Sequence, residues 1–124
     1  GYHATFFVSL DKVPFGQPRV LNEKMQYLIN NGLDIANHTK DHVSLRKVSL
    51  SEFEEQISGG YEGLEKLLYP LKSMEDVLAY PEGYPPRNLD FIDHYNKTHS
   101  PIKAAFIASS YPPNKKYEQY LIQG

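Results

Sequence analysis

Short apolar runs alternate with amphipathic helical patterns along this chain, and that alternation most constrains its fold. Residues 4–8 read Ala-Thr-Phe-Phe-Val, the β-branched and aromatic composition of a buried strand. In residues 20–31, apolar side chains recur at helical spacing until Asn31-Gly32, a helix stop signal. Residues 33–36 then predict a second strand.

The same alternation continues through the second half of the chain. A helix is predicted to begin at Ser49 or Ser51, each followed three residues later by glutamate, and to end at Pro70. The pair Gly59-Gly60 predicts a break or kink in this helix. Strands at residues 76–80 and 102–108 flank a predicted helix at residues 88–98, and no element is predicted after Ser110.

Four strands that alternate with helices predict an α/β fold with a parallel sheet and right-handed crossovers. Four is few for a closed barrel, so the pattern fits either a small open α/β domain or part of a larger one. In both cases the loops after the carboxyl ends of the strands are expected to form the functional site. Those loops are residues 9–18, 37–48, 81–87 and 109–114.

Composition excludes several classes of function. The 124 residues carry 13 basic and 15 acidic side chains, a net charge of -2, which does not favour nucleic-acid binding. No apolar stretch approaches the roughly 20 residues of a membrane span, and no signal peptide is visible. The chain has no cysteine, so any transition metal must be held by His, Asp or Glu.

Two histidines stand four positions apart in the loop after the second predicted strand, His38 and His42. If this segment turns helically, both imidazoles face one point and predict a shared divalent cation. Spacing alone is a weak signal, and on spacing alone two solvated loop histidines without a metal are the better explanation.

The end of the third predicted strand and the loop after it read Tyr-Pro-Glu-Gly-Tyr over residues 80–84. Proline and glycine fix a tight path there, which can aim a backbone N–H at a ligand or serve only as a rigid turn. The carboxylate of Glu82 is placed to act as a base or ligand, although a surface glutamate is the commoner account, and Asp11 in the first loop is a candidate to complete a metal site. For Asp11, the start of a loop is the simpler account.

The run at residues 4–8, the segment at residues 31–42 and the segment at residues 78–83 together resemble the polysaccharide deacetylases, the family of the NodB homology domain. The order and separation of these segments agree with the family, and the first two are specific in combination. The resemblance extends over residues 4–109 and implies a partial distorted (β/α) barrel of about four parallel strands, with residues 1–124 as one incomplete domain.

The resemblance also implies a reaction, the metal-dependent removal of acetyl groups from an N-acetylated glycan of the peptidoglycan, chitin or poly-N-acetylglucosamine type. It assigns His38 and His42 as metal ligands, with zinc the expected ion and cobalt or nickel also accommodated. It makes Glu82 catalytic through its backbone N–H, which would hold the oxyanion. Many members have an aromatic residue at that position, but a backbone donor does not depend on the side chain.

Several family motifs have no counterpart in this sequence. The family's base aspartate and metal-binding aspartate precede the strand that matches residues 4–8, and its acid histidine follows a later strand. We therefore expect a piece of a complete deacetylase, inactive by itself, rather than a degenerate relative. Glycan substrates of this kind imply a secreted or surface-attached protein.

Two further expectations concern ligands and rival functions. Tyr80 and Tyr84 are placed to stack on sugar rings of the glycan. The rival interpretation is a non-catalytic glycan-binding or scaffold domain with a decayed site. A weaker alternative is a different α/β metallohydrolase in which Asp11 or Glu82 completes the metal site.

Overall fold

The computed structural model describes residues 4–9, 18–72, 74–107 and 121–123. Five parallel strands form one sheet in the order β1-β2-β3-β4-β5, and helices occupy three of the connections. The elements are β1 (Thr5–Val8), α1 (Pro18–Asn30), β2 (Asp34–Asn37), α2 (Leu50–Leu68), β3 (Met74–Ala79), a 3-10 turn (Pro81–Gly83), α3 (Asp90–Thr98), β4 (Ala104–Ile107) and β5 (Leu121–Gln123).

The four predicted strands and three predicted helices all exist, with bounds shifted by a few residues. The expectation that no element follows Ser110 was wrong, because β5 pairs with β4. Spatial order follows chain order throughout the sheet, so within the described strands the order never reverses as it does in a doubly wound domain. A parallel sheet in which each strand lies next to the one before it in the chain is the arrangement of a (β/α) barrel.

Helix α2 forms where the sequence supplies both a cap and an apolar stripe. Ser49 is its N-cap and accepts a hydrogen bond from the Glu52 N–H at 3.2 Å, while Ser51 lies inside the first turn. The helix runs from Leu50 to Leu68 without interruption, so the predicted break at Gly59-Gly60 was wrong. Gly60 is buried at a close approach between α2 and the end of β2.

The helices cover one face of the sheet in two apolar clusters. The cluster around α1 contains Val8, Met25, Ile35, Leu64 and Leu68. The larger cluster around α2 and α3 contains Leu45, Phe53, Ile57, Leu78, Tyr80, Ile92, Tyr95, Ile102, Ala105 and Ile107. No helix among the described residues combines the length and the apolar character needed to cross a membrane.

The opposite face of the sheet is concave. Phe7 on β1 and Phe106 on β4 meet edge to face with ring centroids 5.3 Å apart. β4 is the third strand from β1 in the sheet, so the backbones of these two strands would lie about 14 Å apart if the sheet were flat. Ala36 pairs with Phe7, and Ala79 pairs with Phe106, so small side chains lie between the two rings. The contact shows that the sheet curls toward this face, as a barrel wall does.

Candidate metal centre

The candidate site lies where β1, β2 and β3 end at the same edge of the sheet. His38 follows the last residue of β2, and its N–H donates to the Val8 carbonyl at 3.0 Å. The Ser9 hydroxyl donates to the His38 carbonyl at 2.5 Å. Both the N–H and the carbonyl of His38 are therefore hydrogen-bonded to residues at the end of β1.

The ring of His38 is fixed by the neighbouring strand on the other side. Its Nδ1 lies 2.8 Å from the carbonyl oxygen of Ala79, the last residue of β3. Because a carbonyl can only accept, Nδ1 carries the proton and Nε2 has the free lone pair in the neutral ring. A backbone carbonyl that orients a histidine in this way is typical of metal-binding histidines.

Two imidazoles are brought together, as the sequence predicted. The ring centroids of His38 and His42 are 4.7 Å apart, and the ring planes are inclined by 69°. Burial lowers the pKa of His38, against the opposing effect of the Ala79 carbonyl, and the nearby charge of His42 lowers it further. The neutral ring that a metal ligand requires is therefore the favoured form of His38 near neutral pH.

The turn that joins the two histidines is not helical, contrary to the helical geometry assumed from their spacing. Thr39 has φ of 73° and His42 has φ of 55°, both in the left-handed region that non-glycine residues rarely adopt. The Thr39 N–H donates to Asn37 Oδ1 at 2.8 Å, and the His42 N–H donates to Thr39 Oγ1 at 3.2 Å. These two hydrogen bonds satisfy the irregular backbone locally.

The donor set fits a divalent metal ion in part. Imidazole nitrogens bind zinc at about 2.0–2.1 Å, and the two rings are near enough to reach one ion. Within the described ranges, no group of three or more His, Cys, Asp or Glu side chains could hold a metal. Asp11, the third ligand in one alternative, lies outside the described residues.

Glu82 occupies the 3-10 turn that follows β3. Its φ is 58°, and its side chain is exposed. Two backbone hydrogen bonds close this turn. The Gly83 N–H donates to the Tyr80 carbonyl at 3.0 Å, and the Tyr84 N–H donates to the Pro81 carbonyl at 3.3 Å. The predicted role of the Glu82 N–H as an oxyanion donor stays a prediction.

The two tyrosines predicted to stack on sugar rings lie in different environments. Tyr80 is only 2% exposed and packs in the larger core cluster, so its ring has no open face for a sugar and that expectation does not hold. Burial also raises the pKa of its hydroxyl. Tyr84 is half-buried, and Arg46 Cζ lies 5.2 Å from its ring centroid. The Tyr84 prediction stays open.

Sequence reasoning missed Asn37 and Gln56, two buried polar residues behind the histidine turn. A signal was present for Gln56, because it falls three residues after Phe53 and directly before Ile57, on the apolar face of α2. A polar side chain on such a face needs a partner. Its partner, Asp41, is fifteen residues away and only the folded chain shows it.

The family model for polysaccharide deacetylase matches residues 1–99, and the chain therefore belongs to the polysaccharide deacetylase family. Among solved structures, a Streptococcus pyogenes deacetylase, PplD, in complex with acetate matches with a TM-score of 0.71 at 18% sequence identity. The match covers 98% of this chain and 51% of that chain, so the present chain spans about half the length of that deacetylase. A search of curated proteins finds no significant match.

Family and fold together define a partial (β/α) barrel of the polysaccharide deacetylase type. The strand order and the curled sheet described above agree with that fold class. Enzymes of this family are hydrolases.

Proposed function

We propose that this chain is part of a metal-dependent hydrolase that removes acetyl groups from an N-acetylated glycan. The observation that carries the proposal is the histidine pair at the carboxyl ends of the strands, with the His38 ring oriented by the Ala79 carbonyl at 2.8 Å. Two adjacent imidazoles at the edge of a barrel, one of them oriented by a backbone carbonyl, would supply part of the ligand set of a hydrolytic metal centre.

His38 and His42 would hold the ion, and zinc is the expected one. When bound, such an ion polarises the acetyl carbonyl and lowers the pKa of a coordinated water toward about 7. Ala79 keeps the proton of His38 on Nδ1, so Nε2 stays available. The N–H of Glu82, in the turn next to the site, would donate to the oxygen that becomes negative during hydrolysis.

The resemblance assigns the remaining chemistry to motifs without a counterpart in these 124 residues. They are the base aspartate, the aspartate that is the third metal ligand, and the histidine that protonates the leaving amine. The proposed activity therefore belongs to the complete protein and not to these residues in isolation.

The substrate class follows from the family, and we propose a glycan of the peptidoglycan, chitin or poly-N-acetylglucosamine type. Acetate, present in the complex of the streptococcal deacetylase, is the acid that hydrolysis of an acetamide releases. Arg46 Cζ lies 5.2 Å from the Tyr84 ring centroid, and we propose that this aromatic ring and cation contact the sugar chain. Polymers of this kind lie outside the cell, so we propose a secreted or surface-attached protein.

The test is acetate release by the complete protein from N-acetylglucosamine oligosaccharides. We expect release that stops with a chelator, returns with zinc, cobalt or nickel, and is lost in His38→Ala. His94→Ala is the matched control, because His94 is an exposed histidine on α3 away from the pair. Binding of the glycan without acetate release from any N- or O-acetylated sugar would contradict the proposal and favour a glycan-binding domain.

A further inference from the structure

The side chain of Gln56 on helix α2 forms hydrogen bonds with the histidine turn from behind. Its Oε1 accepts a hydrogen bond from the Asp41 N–H at 2.9 Å, and its Nε2 donates to the Asp41 carboxylate. The backbone carbonyl of Gln56 also accepts from the Lys40 N–H at 2.9 Å. Gln56 is 8% exposed, so these bonds form largely out of water.

The histidine turn and helix α2 lie close together because of the contacts that Asn37 and Gly60 form. The Asn37 Nδ2 donates to the Ile57 carbonyl at 2.9 Å, which joins the end of β2 to the middle of α2. Gly60 lies against the same carboxamide, and a Cβ there would stand 2.8 Å from Asn37 Cγ. The turn therefore rests on a rigid helical surface that spans Gln56 to Gly60.

This support matters because the turn has an unfavourable backbone. Thr39 and His42 both have positive φ, an unfavourable backbone conformation for a residue with a side chain. Asp41 directly precedes His42, and Gln56 bonds both its N–H and its carboxylate. The direction in which the chain enters His42 is thus set from α2.

We infer that Gln56 is a positioning residue that, through Asp41, holds the His42 ring against His38 and thereby sets the affinity of the pair for a divalent metal. The inference rests on the proposed function, which makes the two histidines metal ligands. Gln56 itself would not touch the ion.

The chemistry of the carboxamide provides a specific test. Gln56 uses one acceptor and one donor, while Asp41 offers one N–H donor and one carboxylate acceptor. In Gln56→Met, the shape is kept and both bonds are lost. In the exchange variant Gln56→Glu/Asp41→Asn, the donor and the acceptor of the side-chain pair trade places and both bonds can form again. Neither variant changes the net charge.

The experiment is a zinc titration of the metal-free complete protein, with the absorption spectrum of the cobalt-loaded protein as a second readout of ligand geometry. We expect Gln56→Met to bind zinc about 10- to 100-fold more weakly and to change the cobalt spectrum, as the loss of outer-shell partners of metal ligands does. We expect the exchange variant to bind within about threefold of wild type.

Tyr61→Phe is the matched control. Its hydroxyl donates to the Val77 carbonyl at 2.9 Å, so the variant removes a bond between α2 and β3 without touching the turn. It should lower the melting temperature and leave zinc affinity unchanged.

The outcomes separate the inference from the proposed function. A wild-type protein that binds no zinc contradicts the proposed function. A wild-type protein that binds zinc, together with a folded Gln56→Met variant of equal affinity, overturns the role of Gln56. If Gln56→Met does not fold, the exchange variant decides, because wild-type affinity supports the pairing and weaker binding in a folded exchange variant overturns it.

Discussion

The Nδ1 of His38 lies 2.8 Å from the carbonyl oxygen of Ala79, so a side chain that follows one strand is oriented by the backbone of the next. The bond links the second and third strand ends, which are the two places where the sequence concentrates its candidate site residues. It assigns the Nδ1–H tautomer to His38 and leaves Nε2 for a ligand.

The surroundings of the His38 ring predict its protonation behaviour in the metal-free protein. Burial lowers its pKa below the ordinary 6.5 against the raising effect of the Ala79 carbonyl, and the charge of His42 acts in the same direction as burial. The unfolded chain then binds this proton more readily, so the contribution of His38 to stability is present above pH 6.5 and lost as the pH falls below it. Nitrogen-15 NMR of the imidazoles across this pH range should show the Nδ1–H tautomer and a midpoint below 6.5. A midpoint at or above this value would contradict the prediction.

A second prediction separates the two adjacent glycines of α2. Gly60→Ala places a carbon against the Asn37 carboxamide, which is fully buried and already bonded, so we expect a loss of about 1–3 kcal/mol in the free energy of unfolding. In Gly59→Ala the new carbon meets the flexible side chain of Lys40, whose Cδ is nearest at 3.1 Å. That variant should be neutral or gain up to about 1 kcal/mol from helix propensity. Urea unfolding of both variants checks the difference, and equal effects would refute the close approach.

The first turn of α2 supplies a third prediction. Ser49 caps the helix, whereas Ser51 is exposed within it. Ser49→Ala should therefore cost about 1 kcal/mol of unfolding free energy, and Ser51→Ala should cost nothing or stabilise slightly. Thermal unfolding of the two variants measures this difference. A larger loss of stability in Ser51→Ala than in Ser49→Ala would contradict Ser49 as the N-cap.

The fourth prediction concerns the buried hydroxyl of Tyr80. No group among residues 4–9, 18–72, 74–107 and 121–123 forms a hydrogen bond with its Oη. Tyr80→Phe removes a buried polar atom without a partner in that part of the chain, so we expect unfolding free energy to stay the same or rise by about 1 kcal/mol. Chemical denaturation measures this directly. A clear loss of stability would mean that the hydroxyl has a partner.

Much of the fold was predictable because it depends on local pattern. The alternation of apolar runs and helical stripes identified four strands and three helices, and the position of His38 after a strand placed it at the correct edge of the sheet. Strand ends and helix caps are encoded within a few residues, which is why these expectations agree with the structure.

The remaining features depend on contacts between distant parts of the chain. Gly59-Gly60 looked like a break because propensity alone opposes it, but the packing of Gly60 on Asn37 requires a glycine inside a continuous helix. Tyr80, the last residue of the third predicted strand, was expected to face a glycan, yet its side chain packs in the core between sheet and helices. The pairing of Gln56 with Asp41 joins residues fifteen positions apart and has no local signature.

The central claim is that His38 and His42 hold one divalent metal ion. The most direct measurement is the zinc content of the complete protein, purified without chelator, supplied with zinc and dialysed, for wild type, His38→Ala and His42→Ala, with His94→Ala as control. We expect one zinc per molecule in wild type and in His94→Ala, and substoichiometric zinc in both site variants. Wild-type protein without zinc, or site variants that retain it fully, would contradict a metal ion shared by His38 and His42.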